Sequence, residues 1–354
     1  MSTQTLSRTG VSCPTPIPDR ERVQLGHGSG GKMSGQLLAE RFLPRFANAA
    51  LSLLGDGAAV RAQSPDLVVS TDTFVVSPLE FPGGNIGTLA VHGTLNDVAM
   101  MGADPLYLAA GFVLEEGLPF DVLDRVLDSM QDAVAKAGVQ LVTGDTKVVE
   151  RGKADGMFIN TTGIGFLHHT FHPRPDEVHP GDAVLVSGPL GCHGIAVMAA
   201  RGEIGFEVDV ESDSASLHPL VVLLRERCGS GVHALRDPTR GGLASALNEI
   251  ARASGVGFEL EGIDAVLPEP VAAACEMLGL DPLYVANEGV LVAIVDAEHG
   301  ERALAALRSH PLGQQAQLVG RAVDRHPGLV VLRTGLGGSR IVDLLPGDQL
   351  PRIC

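Results

Sequence analysis

Apolar residues in the first half of the chain alternate between short strand-like runs and the three-to-four-residue spacing of helices. The clearest helix is predicted over residues 118–138, where Pro119 suits the first turn and Gly138 marks the end. A second predicted helix carries Asp97 within its apolar stretch, and a carboxylate in that position calls for a specific role. Strands are predicted at residues 66–72, 139–145 and 158–167, and helices at 87–102 and 118–138.

The second half repeats the alternation after a connector rich in proline and charge. Strands are predicted at residues 183–188 and 290–295, and helices at 195–200, 217–227, 242–253, 270–278 and 303–307. The pattern therefore predicts an α/β protein with two domains. The expected divisions are a disordered tail at 1–22, an N-terminal domain at 23–167, a linker at 168–182, a C-terminal domain at 183–345 and a flexible tail at 346–354.

Length and composition agree with two domains and reduce the number of possible functions. A chain of 354 residues exceeds the usual size of one core, and 44 glycines with 4% aromatic residues favour aliphatic packing in an α/β protein. The net charge of −16 repels phosphate backbones and anionic lipid, which argues against binding nucleic acid or a membrane surface. The first residues lack the apolar core of a signal peptide, and the longest apolar stretch, Leu106–Leu114, is too short to span a bilayer. We therefore expect a cytoplasmic protein.

Four candidate aspartates follow predicted strands or lie in glycine-rich turns, and a fifth, Asp97, lies in the predicted helix 87–102. Magnesium prefers hard oxygen ligands and is usually held by a few carboxylates together with nucleotide phosphates. Each aspartate alone is explained by a turn or a helix cap, so only their joint occurrence indicates a metal-nucleotide site. The five residues are Asp56, Asp72, Asp97, Asp145 and Asp237.

The segment GHGSGGK, residues 26–32, fits the spacing of a phosphate-binding loop in all but its last position. Met33 stands where that loop needs Ser or Thr to hold magnesium, so the motif itself is absent. Its glycines still allow backbone N–H groups to turn toward an anion. A phosphate-covering flap and a plain mobile turn both remain open.

Two further side chains suit acid–base or charge-stabilising chemistry. Lys147 follows Asp145 directly after a predicted strand, where an ammonium group can meet a phosphate, although an exposed lysine is the simpler interpretation. Glu288 lies between two apolar runs, where partial burial would raise its pKa and suit it to proton transfer. An ordinary loop carboxylate is the alternative for Glu288.

The cysteines and histidines do not form a metal-binding motif. The five cysteines, an odd number, are scattered, which favours reduced thiols, and Cys192, Cys228 and Cys275 are interpreted as small core residues. The connector histidines, among them His179, lack cysteine partners and helical spacing. Cys354 differs because it ends the chain on a proline-containing arm, where it is either a mobile thiol or a frayed terminus.

Taken together, these segments resemble the HypE family of hydrogenase maturation factors, in the superfamily of aminoimidazole ribonucleotide synthetase and selenophosphate synthetase. The resemblance runs from Gly26 to Cys354, and the terminal PRIC separates this family from its relatives. The matching segments are GHGSGGK, STDTFVVSPLEFPGGNIG, GTLNDVAMMGADP, GFVLEEGLP, TGDTKVVERG, LRDPTRGGLA, LYVANEG and PRIC.

The resemblance implies a PurM-like fold, a homodimer whose N-terminal domains pair into a β-barrel, and ATP with Mg²⁺ bound near the interface. It also implies that the carbamoyltransferase HypF carbamoylates Cys354. ATP would then drive dehydration of the thiocarboxamide to a thiocyanate. The cyano group would pass to iron on the HypC–HypD scaffold complex as a ligand of the nickel-iron centre.

Residue roles follow from the matching motifs. The resemblance assigns magnesium and phosphate handling to Asp56, Asp72, Asp97 and Asp237, with Asp145 and Thr146 close by. Lys147 would stabilise charge on the phosphoryl or amide oxygen, Glu288 would take the N–H proton, and Cys354 would carry the substrate. The full expected nucleotide-binding set is Gly28, Gly30, Gly31, Lys32, Asp56, Asp72, Asn96, Asp97, Gly144, Asp145, Thr146 and Thr239.

Three other functions remain open at this point. Another enzyme of the superfamily would share the ATP-binding acids but act on a diffusible substrate, which the PRIC terminus disfavours. A non-catalytic carrier would use Cys354 only to relay a group. An iron or nickel chaperone would use the connector histidines.

Overall fold

The computed structural model describes residues 20–29, 31–55, 57–202, 205, 207–335 and 337–344. Its first half contains α1 (Lys32–Leu37), α2 (Leu43–Phe46), β1 (Leu67–Phe74), β2 (Glu80–Phe81), β3 (Gly84–Asn85), α3 (Ile86–Met100), β4 (Ala103–Glu115), α4 (Phe120–Ala137), β5 (Gln140–Val149) and β6 (Met157–Leu167). Its second half contains β7 (Ala183–Val186), α5 (Cys192–Ala200), α6 (His218–Cys228), β8 (Val232–Arg236), α7 (Gly242–Ser254), β9 (Gly257–Leu260), α8 (Glu269–Leu278), β10 (Val292–Val295), α9 (Gly300–Arg308), β11 (Gln317–Val323), β12 (Val330–Arg333) and β13 (Ser339–Val342).

The first half is built on a four-stranded sheet in the order β1-β6-β4-β5. Helices α3 and α4 cover one face, and the amphipathic stripe of α4, including Leu123, Leu127 and Met130, is fully buried there. The opposite face is open: Leu67 and Val69 of β1 are 54% and 61% exposed. This sheet therefore has one buried and one exposed face.

The second half is a seven-stranded mixed sheet in the order β13-β12-β9-β11-β7-β10-β8. The central strands β7 and β10 are buried at every position because helices cover both faces. Helices α6 and α9 pack on one face, and α7 packs on the other. None of the described helices is both long and apolar enough to cross a lipid bilayer.

Helix α3 joins the two halves. Asn85 caps its N-terminus by accepting hydrogen bonds from the backbone of Gly87 and Thr88. Further along, the buried Asn96 donates to the carbonyls of Ala215 and Glu288 at 2.9 and 3.3 Å, and accepts from the Leu217 N–H at 2.8 Å. A segment of the second half without regular secondary structure, residues 207–217, thus contacts this helix.

The predicted helices correspond to α3 to α9, but the ends of two predicted strands are wrong. β1 continues two residues beyond Asp72, because Thr73 and Phe74 still pair with β6. Likewise β5 continues through Val149, so Asp145 and Lys147 lie inside a strand rather than after it. The β-branched Thr and Val residues that follow each aspartate favour this continued pairing.

Candidate active site

Four of the predicted acids converge where the two halves meet. Asp72 lies on β1 and Asp97 on α3, whereas Asp237 follows β8 and Glu288 precedes β10. Asp237 and Glu288 are buried, and Asp72 and Asp97 are partly exposed. Each half therefore supplies two carboxylates to one cluster of interacting charges.

Burial and mutual repulsion raise the proton affinity of this cluster. Burial, followed by the charge of Asp237, holds the pKa of Glu288 well above its usual value. Burial and the charge of Asp97 raise the pKa of Asp237 to about 7. The same two causes raise the pKa of Asp72, and only Arg240 opposes them. A carboxylate cluster so short of positive charge suits a divalent cation.

Local hydrogen bonds fix two of these acids. The Ser70 hydroxyl of β1 donates to Asp97 Oδ2 at 2.7 Å, which ties the helix carboxylate to the strand that carries Asp72. The Thr239 N–H donates to the Asp237 carbonyl at 3.0 Å, and Gly242 N–H donates to the Thr239 carbonyl at 2.9 Å. Thr239 therefore belongs to the turn that presents Asp237.

The glycine-rich segment and the predicted residues of β5 lie at the edge of the first sheet opposite to β1. Register aligns Asp72 with Thr161, Ala110 and Gly144 on successive strands. Three inter-strand steps separate Asp72 from Gly144 by roughly 14 Å. Within one chain, Asp145 and Thr146, which follow Gly144, are therefore about three strands away from Asp72, and their place beside the metal-site acids stays a prediction.

At that edge, β5 and the glycine-rich segment enclose an open cavity of about 300 Å³. Gly28 packs so closely on β5 that a β-carbon would collide with the Val148 backbone nitrogen. Lys147 Nζ lies 3.3 Å from Asp145 Oδ2, and both side chains are mostly exposed. Gly28, Gly144, Asp145, Thr146 and Lys147 line this cavity, and the exposed Gly31 and Lys32 begin α1 beside Gly28.

Three predicted residues lie outside the described part of the chain. They are Gly30 of the glycine-rich segment, Asp56 of the predicted metal set and the terminal Cys354. Their roles stay predictions. Asn96 is among the described residues, and its side-chain amide is hydrogen-bonded to the backbone of Ala215 and Leu217 in the second half.

Asp213 is an acid that the sequence analysis missed. It lies in the segment 207–217, whose apolar residues follow neither the helical nor the strand spacing, so no pattern singles it out. Its Oδ1 accepts the Glu288 N–H at 2.8 Å, and its buried Oδ2 has no hydrogen-bond partner among the described residues. Burial raises the pKa of Asp213 to about 7.

The described cysteines are free thiols, whereas one connector histidine, His179, belongs to a group of polar side chains. Within the described residues, Cys192, Cys228 and Cys275 are free, and the last two are buried as predicted. The prediction of a core position is wrong for Cys192, which is only partly buried because it begins α5. His179 of the connector meets Asp182 and His233 with ligand atoms within 4.8 Å of one another. The Asp182–His233 contact, at 2.7 Å, joins the connector to β8.

The family comparisons first define the class of protein. The model of the AIR synthase related N-terminal domain matches residues 55–167, and that of the C-terminal domain matches residues 179–332. Together they cover most of the chain. The two halves are thus those of an AIR synthase-like protein with a two-domain α/β fold.

Relatives of known name define the family more narrowly. The chain is 52% identical over 334 residues to carbamoyl dehydratase HypE of Azotobacter vinelandii, covering 94% of this chain and 97% of that protein. A crystal structure of hydrogenase maturation protein HypE in complex with ATP is similar at 49% identity and a TM-score of 0.89, covering 94% and 99% of the two chains. A chain in the crystal structure of a HypE–HypF complex is 42% identical with a TM-score of 0.77, covering 89% and 100%. The protein belongs to the HypE family.

Proposed function

We propose that this protein is a carbamoyl dehydratase that uses ATP to convert the S-carbamoyl group on its own Cys354 to a thiocyanate. The product would supply the cyanide ligands of the iron in nickel-iron hydrogenase. The observation that carries the proposal is the cluster of Asp72, Asp97, Asp237 and Glu288, contributed by both halves in a chain whose relatives bear this name. The ATP complex of a similar HypE supports ATP as the co-substrate.

The chemistry needs activation of a poor leaving group. An amide oxygen leaves only after it has been phosphorylated, so transfer of the γ-phosphoryl group of ATP to that oxygen precedes its loss as phosphate. Asp72, Asp97 and Asp237, with Asp56, would hold Mg²⁺ and the phosphates. Bound Mg²⁺ would screen the charge of the phosphates.

Glu288 is the proposed base for the carboxamide nitrogen. Burial among other acids gives it a high pKa, so it accepts a proton more readily than an ordinary carboxylate does. Lys147 would stabilise the charge that develops on the phosphoryl or amide oxygen. Gly28, Gly30, Gly31 and Lys32 would close over the phosphates.

A homodimer explains why the proposed groups lie at two edges of one sheet. The open face carries the exposed Leu67 and Val69 beside Ile164 and Tyr107 of the neighbouring strands, an apolar surface that a second copy would cover. Pairing of the two N-terminal sheets into a barrel would bring Lys147 of the partner subunit toward Asp72 of this one.

Partners and location complete the proposal. The carbamoyltransferase HypF would load Cys354, and the HypC–HypD complex would receive the cyano group in the cytoplasm. Cys354 must visit both another protein and its own cleft, so we propose that residues 346–354 form a mobile arm. We retain the domains proposed above, 23–167 and 183–345, joined by the linker 168–182.

The decisive experiment is intact mass spectrometry of the C-terminal peptide. The full chain is incubated with HypF, ATP and carbamoyl phosphate for loading, and after its removal from these reagents it is treated with or without Mg²⁺-ATP. We expect the carbamoyl mass on Cys354, followed by loss of one water only with Mg²⁺-ATP. C354A controls for modification elsewhere. A carbamoylated Cys354 that never loses water would contradict the proposal.

A further inference from the structure

Three side chains of metal-binding type meet where the connector enters the second half. His179 and Asp182 belong to the last turn of the connector, and His233 lies on β8. One ligand atom of each residue lies within 4.8 Å of the ligand atoms of the other two. None of the three belongs to the acid cluster, so the group needs an explanation of its own.

Backbone hydrogen bonds hold the turn at residues 179–182 in place. The Asp182 N–H donates to the His179 carbonyl at 3.2 Å, and Asp182 Oδ2 accepts the His179 N–H at 2.7 Å. The Gly181 N–H donates to the Ala322 carbonyl of β11 at 2.9 Å, and the Ala322 N–H donates to the Asp182 carbonyl at 2.8 Å. The backbone that carries two of the three side chains is therefore fixed on β11, as a preformed site requires.

A β-bulge presents His233 to that turn. The register of β10 against β8 shifts between Ile294 and Val295, so His233 has no partner residue in β10. Its carbonyl instead accepts the N–H of Arg174 in the connector at 2.7 Å. Bulges often redirect a side chain at a functional site. Here the bulge places a His233 ring nitrogen 2.7 Å from Asp182 Oδ2.

Asp182 is buried with little positive charge beside it. The residue is 4% exposed, and in the part of the chain that the structure describes its ion-pair partner is His233, with no lysine or arginine joining the pair. Histidine offers a charge only when it is protonated. Because a buried carboxylate is costly without a compensating charge, a cation beside Asp182 would be stabilising.

We propose that His179, Asp182 and His233 bind a zinc ion. Two imidazoles and one carboxylate, with water in the fourth position, are a ligand set that zinc uses in proteins. Tetrahedral ligands of zinc lie about 3.4 Å apart, so the Asp182–His233 contact opens slightly and the exposed His179 side chain turns toward it. The ion replaces the proton between Asp182 and His233, which goes to solvent, and fastens the connector to β8.

Zinc itself is the probe in the test. The full-length protein, with its thiols alkylated and Mg²⁺ in excess, is dialysed against Zn²⁺, and bound zinc is measured by mass spectrometry of the metal. These two precautions limit zinc binding at thiolates and at the acid cluster. His179→Ala removes an exposed ligand, His233→Ala removes the ligand in the bulge, and His172→Ala removes an exposed histidine of the same connector outside the group.

We expect the wild type and His172→Ala to bind the same zinc equivalent, and His179→Ala and His233→Ala to bind it roughly 10²-fold or more weakly. Zn²⁺ should raise the thermal midpoint of the wild type and not that of His179→Ala. A wild type that binds no zinc, or equal binding by the wild type and His179→Ala, would mean that Asp182 and His233 form a hydrogen bond alone and would overturn the inference. The measurement uses neither carbamoylation nor ATP, so its result is independent of the proposed dehydration.

Discussion

Removing the Asn96 side chain should uncouple the two halves of the protein. The amide is 1% exposed and meets three backbone groups of the second half, the Leu217 N–H and the carbonyls of Ala215 and Glu288. Asn96→Ala leaves all three without this partner. Each unsatisfied buried group costs about 1 kcal/mol or more, so the expected loss in the free energy of unfolding is about 3 kcal/mol.

Urea denaturation measures this loss as a lower midpoint at an unchanged slope. The control is Gln315→Ala at an exposed position, which should change the free energy of unfolding by less than about 0.5 kcal/mol. The assay also separates the structural role of Asn96 from the nucleotide-binding role predicted from the sequence. If Asn96→Ala weakened ATP binding without changing the urea midpoint, the reasoning from these three hydrogen bonds would be wrong.

Three further predictions concern charge, assembly and the glycine-rich segment. Because the pKa of Asp237 rises from 3.8 to about 7 on folding, its ionisation destabilises the native state as pH rises between these values. Asp237→Asn should therefore raise the thermal midpoint at pH 8 and leave it unchanged below pH 3.8. The same substitution should abolish dehydration. Val69→Asp places a charge on the open sheet face, so light scattering should show a dimer for the wild type and a monomer for the variant; a dimeric variant would refute this interface. Gly28→Ala should weaken ATP binding in calorimetry because its β-carbon meets Val148, whereas Gly35→Ala, with no atom within 4 Å, should bind ATP normally.

The sequence predicted the elements better than their contacts. The stripe of α4 between Pro119 and Gly138 defines that helix because amphipathic spacing is local information. The predictions omit β4, whose Leu106–Leu114 reads only as an apolar stretch, because side chains on the less buried face of this strand, such as Val113, are apolar like those on the covered face. The order β1-β6-β4-β5 depends on long-range pairing and could not be read from the chain.

The same limit applies to the candidate site. Asp72, Asp97, Asp237 and Glu288 could be selected because the aspartates occur jointly and all four acids lie in the segments that resemble the HypE family, and the structure places them together. The separation of Asp145 from Asp72 depends on sheet register, which the sequence does not encode locally. Asp213 was missed because its significance comes only from the Glu288 N–H, 75 residues away in the chain.

Helix α3 explains how two separately packed halves can hold one cluster of acids. Successive helical residues point about 100° apart, so Asn96 and Asp97 address different surroundings from one turn. Asn96 is fixed by the second half, which also supplies Asp237 and Glu288, and Asp97 is fixed by Ser70 of the first sheet, beside Asp72. A shift of either half would strain one of these bonds before it separated the acids. The spacing of the carboxylates is therefore determined by the interface between the halves, and a variant that loosens the interface should impair dehydration even where it leaves all four acids intact.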